Sequence, residues 1–214
     1  MFTTDNKTIR FTPQTESEER FLTMIKRQNG MPKHRRFNDI TIEGDSVHIH
    51  LLDGINTTIS RESLSDVLNS GRVGFHMNRR NHEPYAQLNV NGKADSLHRF
   101  LMRHELAKYE GFTEKTGEAL HVHHIDNDTM NNRLENLAVV TAKENGYHML
   151  LNKKPKLIPR KGDSVGIRVF RNLYSFDDEA EALEFRQEMI RERIFKLEAL
   201  RMKFLADNRG CSHC

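Results

Sequence analysis

Between residues 120 and 151 two short apolar runs flank a loop rich in asparagine, and this stretch limits what the chain can build. Leu120 to Ile125 is strand-like, Asn131 to Asn136 is a polar loop, and Leu137 to Val140 is a second short strand. Thr141 to Leu151 follows as a helix, because Thr141 with Glu144 three places on is the signature of a capping box. Strand, loop, strand and helix in this order gather an unusual polar set. His121, His123 and His124 lie on the first strand, Asn131, Asn132 and Asn136 in the loop, and Asn145 and His148 on the helix.

Taken singly these residues say little. The chain has 12 histidines in 214 residues, so one adjacent pair is unsurprising, and loop asparagines are ordinary turn formers. Composition narrows the setting. Apolar residues make up 36 % and charged residues 29 %, with no Trp, which suits small modules with thin cores better than one thick-cored domain. No apolar run approaches the roughly 20 residues that cross a bilayer, and the opening MFTTDNKTIRF lacks the apolar middle of a signal peptide. Both cysteines, Cys211 and Cys214, are at the end, so no internal disulfide framework is available and a soluble protein of a reducing compartment is expected.

The net charge of +3 is too small to argue from, but its distribution is informative. From Phe21 to Asn38 five Lys or Arg occur without an acid, and from Leu151 to Arg171 there are seven against Asp163 alone. Such blocks suit either a nucleic-acid backbone or a plain solvated surface.

Elsewhere the pattern predicts a helix over 17–28, ended by Gly30 and Pro32. Strands at Ile40–Ile42 and Val47–Leu52 should pair across Glu43-Gly44-Asp45, and a short helix should span Ser60–Leu68. A second hairpin joins Gly74–Asn78 to Tyr85–Val90, Asn91-Gly92 signals a tight turn, and Leu97–Glu110 reads as one helix. Pro155 and Pro159 mark a basic linker. Short strands around Val165–Phe170 and Leu173–Phe176 precede a long helix over 177–207, whose Leu183, Ile190, Leu197 and Phe204 recur every seven residues. Three heptads favour packing within the chain over a coiled coil.

The run His-Val-His-His-Ile-Asp-Asn-Asp-Thr-Met-Asn-Asn-Arg-Leu-Glu-Asn-Leu, with Asn145 nine residues after Asn136, closely resembles the core of HNH endonucleases, above all the phage and intron-encoded homing type. Leu97-His98-Arg99, opening a helix after an extended hairpin, is also typical of these proteins. The resemblance covers about residues 71 to 150. It implies an α+β chain with a central ββα-metal (HNH, His-Me finger) module at 71–151. A small α/β N-terminal segment at 1–70 with a DNA-contacting role precedes it. A basic linker with short strands (152–176), a helical unit (177–208) and a tail (209–214) follow. The segment Val165 to Ala182 faintly resembles AP2-type DNA-binding domains, and the terminal Cys211-Ser-His-Cys214 offers only three of the four ligands of a structural zinc site.

Carried over position by position, the resemblance makes His124 the general base and Asn136 the residue that pins the loop. His123 and Asn145 become the ligands of a divalent metal ion. His121, His148 and Asp126 stand as auxiliary candidates. With His at 123 and Asn at 145 the protein ligands bring no negative charge, so beside the Mg²⁺ first expected, Mn²⁺ or another transition metal also suits the site. The expected partner is double-stranded DNA, held by Arg35, Arg36, Arg79, Arg80, Arg99, Lys153, Lys154, Lys156, Arg160 and Lys161. No membrane is involved, the chain is a monomer or homodimer, and its place is the cytoplasm of a phage-infected or bacterial cell. Two other readings stay open: a DNA-binding regulator that kept the scaffold but lost cleavage, and a small zinc-binding interaction module.

Overall fold

The computed structural model describes residues 2–4, 7–9, 15–16, 19–20, 23, 38–51, 54–79, 82–90, 93–161 and 164–209. It is a mixed α+β chain in two compact units that interleave along the sequence. The first comprises residues 1–105 and 122–138, and the second residues 106–121 and 139–214. Arg35, Arg36, Arg80, the Asn91-Gly92 turn and the Cys211–Cys214 tail lie outside the described residues. Of the helix predicted over 17–28, the described Glu19, Arg20 and Thr23 are helical, as is Glu16 just before it.

In the first unit β1 (Phe2–Thr4) and β2 (Lys7–Ile9) pair as an antiparallel hairpin. Next come β3 (Asp39–Glu43), β4 (Ser46–His50) and β5 (Asn56–Ser60), an antiparallel meander in which Ile40 faces Ile49 and Ile42 faces Val47. Side chains alternate across a strand, so one face of this sheet buries Ile40, Ile42, Val47, Ile49, Thr57 and Ile59. The β3–β4 turn passes through Gly44 at φ +59°, a left-handed conformation that a side chain would resist. A 3-10 turn (Arg61–Ser63) leads into α1 (Leu64–Ser70), and β6 (Val73–Met77), β7 (Pro84–Val90) and β8 (Lys93–Ser96) make a second antiparallel sheet.

The single helix predicted over 97–110 is instead α2 (Leu97–Leu101) and α3 (Arg103–Ala107), with a break at Met102. Arg103 supplies the reason. Its Nη1 takes the Phe100 carbonyl at 2.9 Å, its guanidinium lies 4.4 Å over the Phe100 ring, and its Nη2 pairs with Asp66 at 2.6 Å. The side chain claims an acceptor that the next helical turn would have used.

The chain then forms α4 (Phe112–Thr116), between Gly111 and Gly117, and β9 (Leu120–His124). After β9 come the two-residue β10 (Asn131–Asn132), a 3-10 turn (Leu134–Asn136) and β11 (Leu137–Thr141). β9 pairs with β11, and β10 adds in parallel to β5, completing the order β10-β5-β4-β3. The stretch read as a polar loop thus contributes a strand to a sheet laid down seventy residues earlier.

In the second unit α5 (Ala142–Asn152) begins on the expected capping box: the Thr141 hydroxyl accepts from Glu144 N, and the Glu144 carboxylate accepts from Thr141 N. β12 (Leu157–Pro159), β13 (Val165–Val169) and β14 (Asn172–Phe176) form a three-stranded antiparallel sheet, followed by α6 (Glu179–Arg209). β12 falls where the prolines suggested linker; Pro159 ends the strand, a position that needs no further ladder donor. Ile167, Val169 and Ala182 are buried between sheet and helix, with Tyr174, Phe176 and Phe185 packed around them. Farther along α6, Phe204 meets Phe112 edge-on at 5.1 Å and stacks on Tyr109 at 6.5 Å. The seven-residue stripe therefore packs within the chain: Ile190 and Phe204 are buried and Leu183 and Leu197 half-buried. Among the described residues no helix is long and apolar enough to cross a membrane.

Candidate active site

β9 ends on three consecutive buried residues, Val122, His123 and His124. Past it the backbone reverses through Asn127, left-handed at φ +64°, whose N–H donates to the His124 carbonyl at 3.0 Å. Asn is among the residues that tolerate this conformation. Two aspartates carry the turn onward. Asp126 Oδ1 accepts from Asp128 N at 2.8 Å, and Asp128 Oδ1 accepts from Met130 N at 2.9 Å.

Asn136 closes the loop and is 8 % exposed. Its Oδ1 accepts from Asp126 N at 3.0 Å, while its Nδ2 donates to Asp126 Oδ1 and to the Asn131 carbonyl, both at 2.8 Å. Its own carbonyl accepts from Ile125 N at 2.9 Å. Asn131 Nδ2 adds a bond to Asp126 Oδ2 at 2.6 Å. Burial would raise the Asp126 carboxyl, but donation from Asn131, from Asp128 N–H and from Asn136 outweighs it and holds the group below the usual carboxylate range. Asp126 is thus engaged as the knot of the loop, with both oxygens accepting from it.

The imidazole of His124 is buried in the first unit. Its Nε2 is 3.2 Å from Asn132 Oδ1, and Asn132 Nδ2 donates to Thr57 Oγ1 on β5 at 2.9 Å. Around the ring lie His98 of α2, edge-on at 5.1 Å between centroids, and Tyr85 of β7 at 6.4 Å. His76 stacks on Tyr85 at 5.8 Å. Burial pulls the His124 imidazole below its ordinary value, and the Asn132 bond and the Asp126 and Asp128 carboxylates offset this only in part. A neutral imidazole with a lone pair is a proton acceptor near neutral pH.

The remaining residues singled out in sequence belong to the second unit. His121 is exposed, and Asn145 and His148 are half-buried on α5. The turn that carries Asn145 is anchored by its neighbour Glu144, 2 % exposed, which accepts from Arg201 of α6 through Nε at 2.9 Å and Nη2 at 2.8 Å. Lys143, on the other side of Glu144, pairs with Glu118. Of the basic residues expected to meet DNA, Arg79 and Arg99 are exposed in the first unit, and Lys153, Lys154, Lys156, Arg160 and Lys161 in the second. Lys153 and Lys154 line a cleft with Leu157, Leu183 and Arg186, whose Nη2 donates to the Leu150 carbonyl at 2.6 Å.

The structure brings Asp126, Asn131 and Asn136 into one hydrogen-bonded set and His124 and Asn132 into another with Thr57, and it sets Tyr85 and His98 beside the His124 ring; sequence reading did not place Thr57, Tyr85 and His98 there. Thr57 carried no signal beyond a β-branched residue in a strand, because the contact that matters spans 75 residues of sequence. No group of three or more His, Cys, Asp or Glu able to hold a metal ion is found among the described residues. His123 belongs to the first unit and Asn145 to the second.

Residues 112–147 match the family model described as HNH endonuclease, a span that contains His121, His123, His124, Asn136 and Asn145. No curated protein and no solved structure matches the chain. The likeness to HNH endonucleases thus covers residues 112–147 of the 214-residue chain.

Proposed function

We propose that the chain is a metal-dependent endonuclease that hydrolyses phosphodiester bonds of double-stranded DNA, of the phage- or intron-associated homing type. The observation that carries the reading is the buried, hydrogen-bonded His124 at the mouth of an asparagine-knotted loop, within the segment that matches the family. His124 is the general base, and burial favours the neutral ring that can take a proton from water. Asn136 holds the loop that presents it. His123 and Asn145 would hold the divalent ion, and an imidazole with a carboxamide fits a cation that must keep open positions. When bound, such an ion stabilises the negative charge that develops on the phosphate and the leaving 3′ oxygen. Mg²⁺ serves, with Mn²⁺ as an alternative suited to the imidazole donor. The exposed Arg79, Arg99, Lys153, Lys154, Lys156, Arg160 and Lys161 hold the duplex backbone. The match to the homing type rests on the sequence, where Asn145 stands in place of the final His of the motif. One core cuts one strand per visit, so a double-strand break needs a second visit or a second subunit.

The test is cleavage of supercoiled plasmid and of phage genomic DNA in Mg²⁺, Mn²⁺ or EDTA, wild type beside His124→Ala. Metal-dependent nicking or cutting that vanishes in the variant supports the reading. Equal background in both proteins, with DNA still bound, points instead to a regulator that has lost cleavage.

A further inference from the structure

Two polar side chains beside His124 have no part in the mechanism above, yet both are wholly buried: Asn132 and Thr57 are each 0 % exposed. A buried polar group is retained at a cost unless its hydrogen bonds are made, so what they are bonded to defines their use. They form one line running from the β5 strand to the imidazole. Two backbone carbonyls, which can only accept, set the direction of every bond along it.

Thr57 Oγ1 lies 2.8 Å from the Met130 carbonyl oxygen, so its hydroxyl donates there and presents lone pairs on its other side. Asn132 Nδ2 lies 2.9 Å from that hydroxyl and 3.4 Å from the Thr129 carbonyl oxygen. Turning the amide over would set oxygen against the Thr129 oxygen and leave the hydroxyl lone pairs without a donor, so the orientation is determined. Asn132 Oδ1 then faces His124 Nε2 at 3.2 Å, and an amide oxygen only accepts. The proton of the neutral ring must sit on Nε2. The opposite tautomer would bring two lone pairs together where water cannot intervene.

We propose that the buried Thr57–Asn132 pair is a positioning relay that holds His124 as the Nε2–H tautomer, leaving Nδ1 as the atom that accepts a proton from the attacking water. The water's part rests on the endonuclease reading; the tautomer rests on the hydrogen-bond line alone. β10 exists to keep that line in register. Its parallel pairing sets Asn131 opposite Thr58 and Asn132 opposite Ile59, which brings Asn132 alongside Thr57. The N-terminal meander is then part of the catalytic apparatus in addition to any role in holding DNA. Loss of a group that orients a reactive imidazole lowers activity by on the order of 10–100-fold.

The test uses the full-length chain labelled with ¹⁵N-histidine, with His124 assigned by comparison with His124→Gln. Nitrogen spectra above neutral pH distinguish the N–H nitrogen of each ring from the lone-pair nitrogen. The expected result is Nε2–H at His124 in the wild type. Thr57→Val, of the same shape without the hydroxyl, should give a mixed tautomer and about 10–100-fold slower cutting at unchanged DNA affinity, and Thr57→Ser should recover most of that loss. An Nδ1–H signal in the wild type, or a Thr57→Val protein with unaltered tautomer and rate, overturns the relay. If Thr57→Val does not fold, the wild-type spectrum decides alone. If His124→Ala cuts as well as the wild type, the general-base reading fails, while the nitrogen spectrum continues to test the relay independently.

Discussion

Replacing Arg201 by Met would test how the long C-terminal helix supports the helix that carries Asn145. The Arg201 and Glu144 side chains are 11 % and 2 % exposed and meet through two parallel bonds of 2.9 and 2.8 Å. Arg201 Nη1 also reaches the Tyr109 hydroxyl at 3.4 Å. Met fills much of the same volume but leaves the Glu144 carboxylate with the Thr141 N–H at 3.2 Å as its remaining partner here. Removing one member of a buried pair costs about 3–5 kcal/mol, because the other charge is stranded. Counting bonds gives a consistent figure, since two hydrogen bonds between charged groups at about 1.5–3 kcal/mol each sum to about 3–6. With about 2–4 °C lost per kcal/mol in a chain of this size, the melting temperature should fall by about 6–20 °C. Far-UV circular dichroism in a urea series and a thermal scan measure both quantities, and the absence of Trp makes helix signal a better probe than fluorescence. The double variant Arg201→Met with Glu144→Leu removes both charges and should be more stable than the single one, keeping a deficit of about 1 kcal/mol for the lost helix cap. A loss below about 1 kcal/mol in Arg201→Met, or a double variant less stable than the single, would refute the stranded-charge argument.

Four further outcomes follow from burial and geometry. Burial lowers the His124 pKa, so the neutral, proton-accepting ring survives to lower pH, and the acid limb of the pH–rate profile should lie below about 6.5; a limb at or above that value contradicts it. By the same sign, the folded protein binds this proton less readily than the unfolded chain, so His124 contributes stability above the unfolded pKa that is lost as pH falls, which acid titration of unfolding can follow. Asn136→Ala removes three side-chain bonds of the loop and should cost about 1–3 kcal/mol, with faster amide exchange at Asp126; unchanged exchange there would show that the loop closes without it. Replacing Lys153 and Lys154 by Gln should weaken DNA binding across sequences and reduce the salt slope by about 0.9 for each phosphate no longer neutralised, and an unaltered slope would place the DNA elsewhere.

How much of this was legible in the sequence depended on the range of the interaction. The capping box at Thr141 and Glu144, the Glu43–Ser46 turn and the ends of β9, β11 and α5 all follow from residues within a few positions of one another. The knot between Asp126 and Asn136 spans ten residues; the family resemblance implied the loop-pinning role of Asn136 but left Asp126 as an auxiliary candidate. Wherever a long-range contact competed with a local preference, the local reading fell short. The helix predicted over 97–110 breaks because Arg103 takes a carbonyl and pairs with Asp66. The apparent loop at 131–136 contains a strand because β5 offers a free edge.

By itself, then, the sequence determined a composition suited to small modules with thin cores, and a stretch, residues 112–147, that is similar to HNH endonucleases. Only the tertiary structure decided which groups surround His124. Asn132, Thr57, His98 and Tyr85 come from four elements spread from residue 57 to residue 132, and a hydrogen bond is directed and short. Apolar periodicity records which face of an element is buried, but it carries no information on which distant polar atom that face will meet, and the hydrogen bond that His124 makes depends on that meeting.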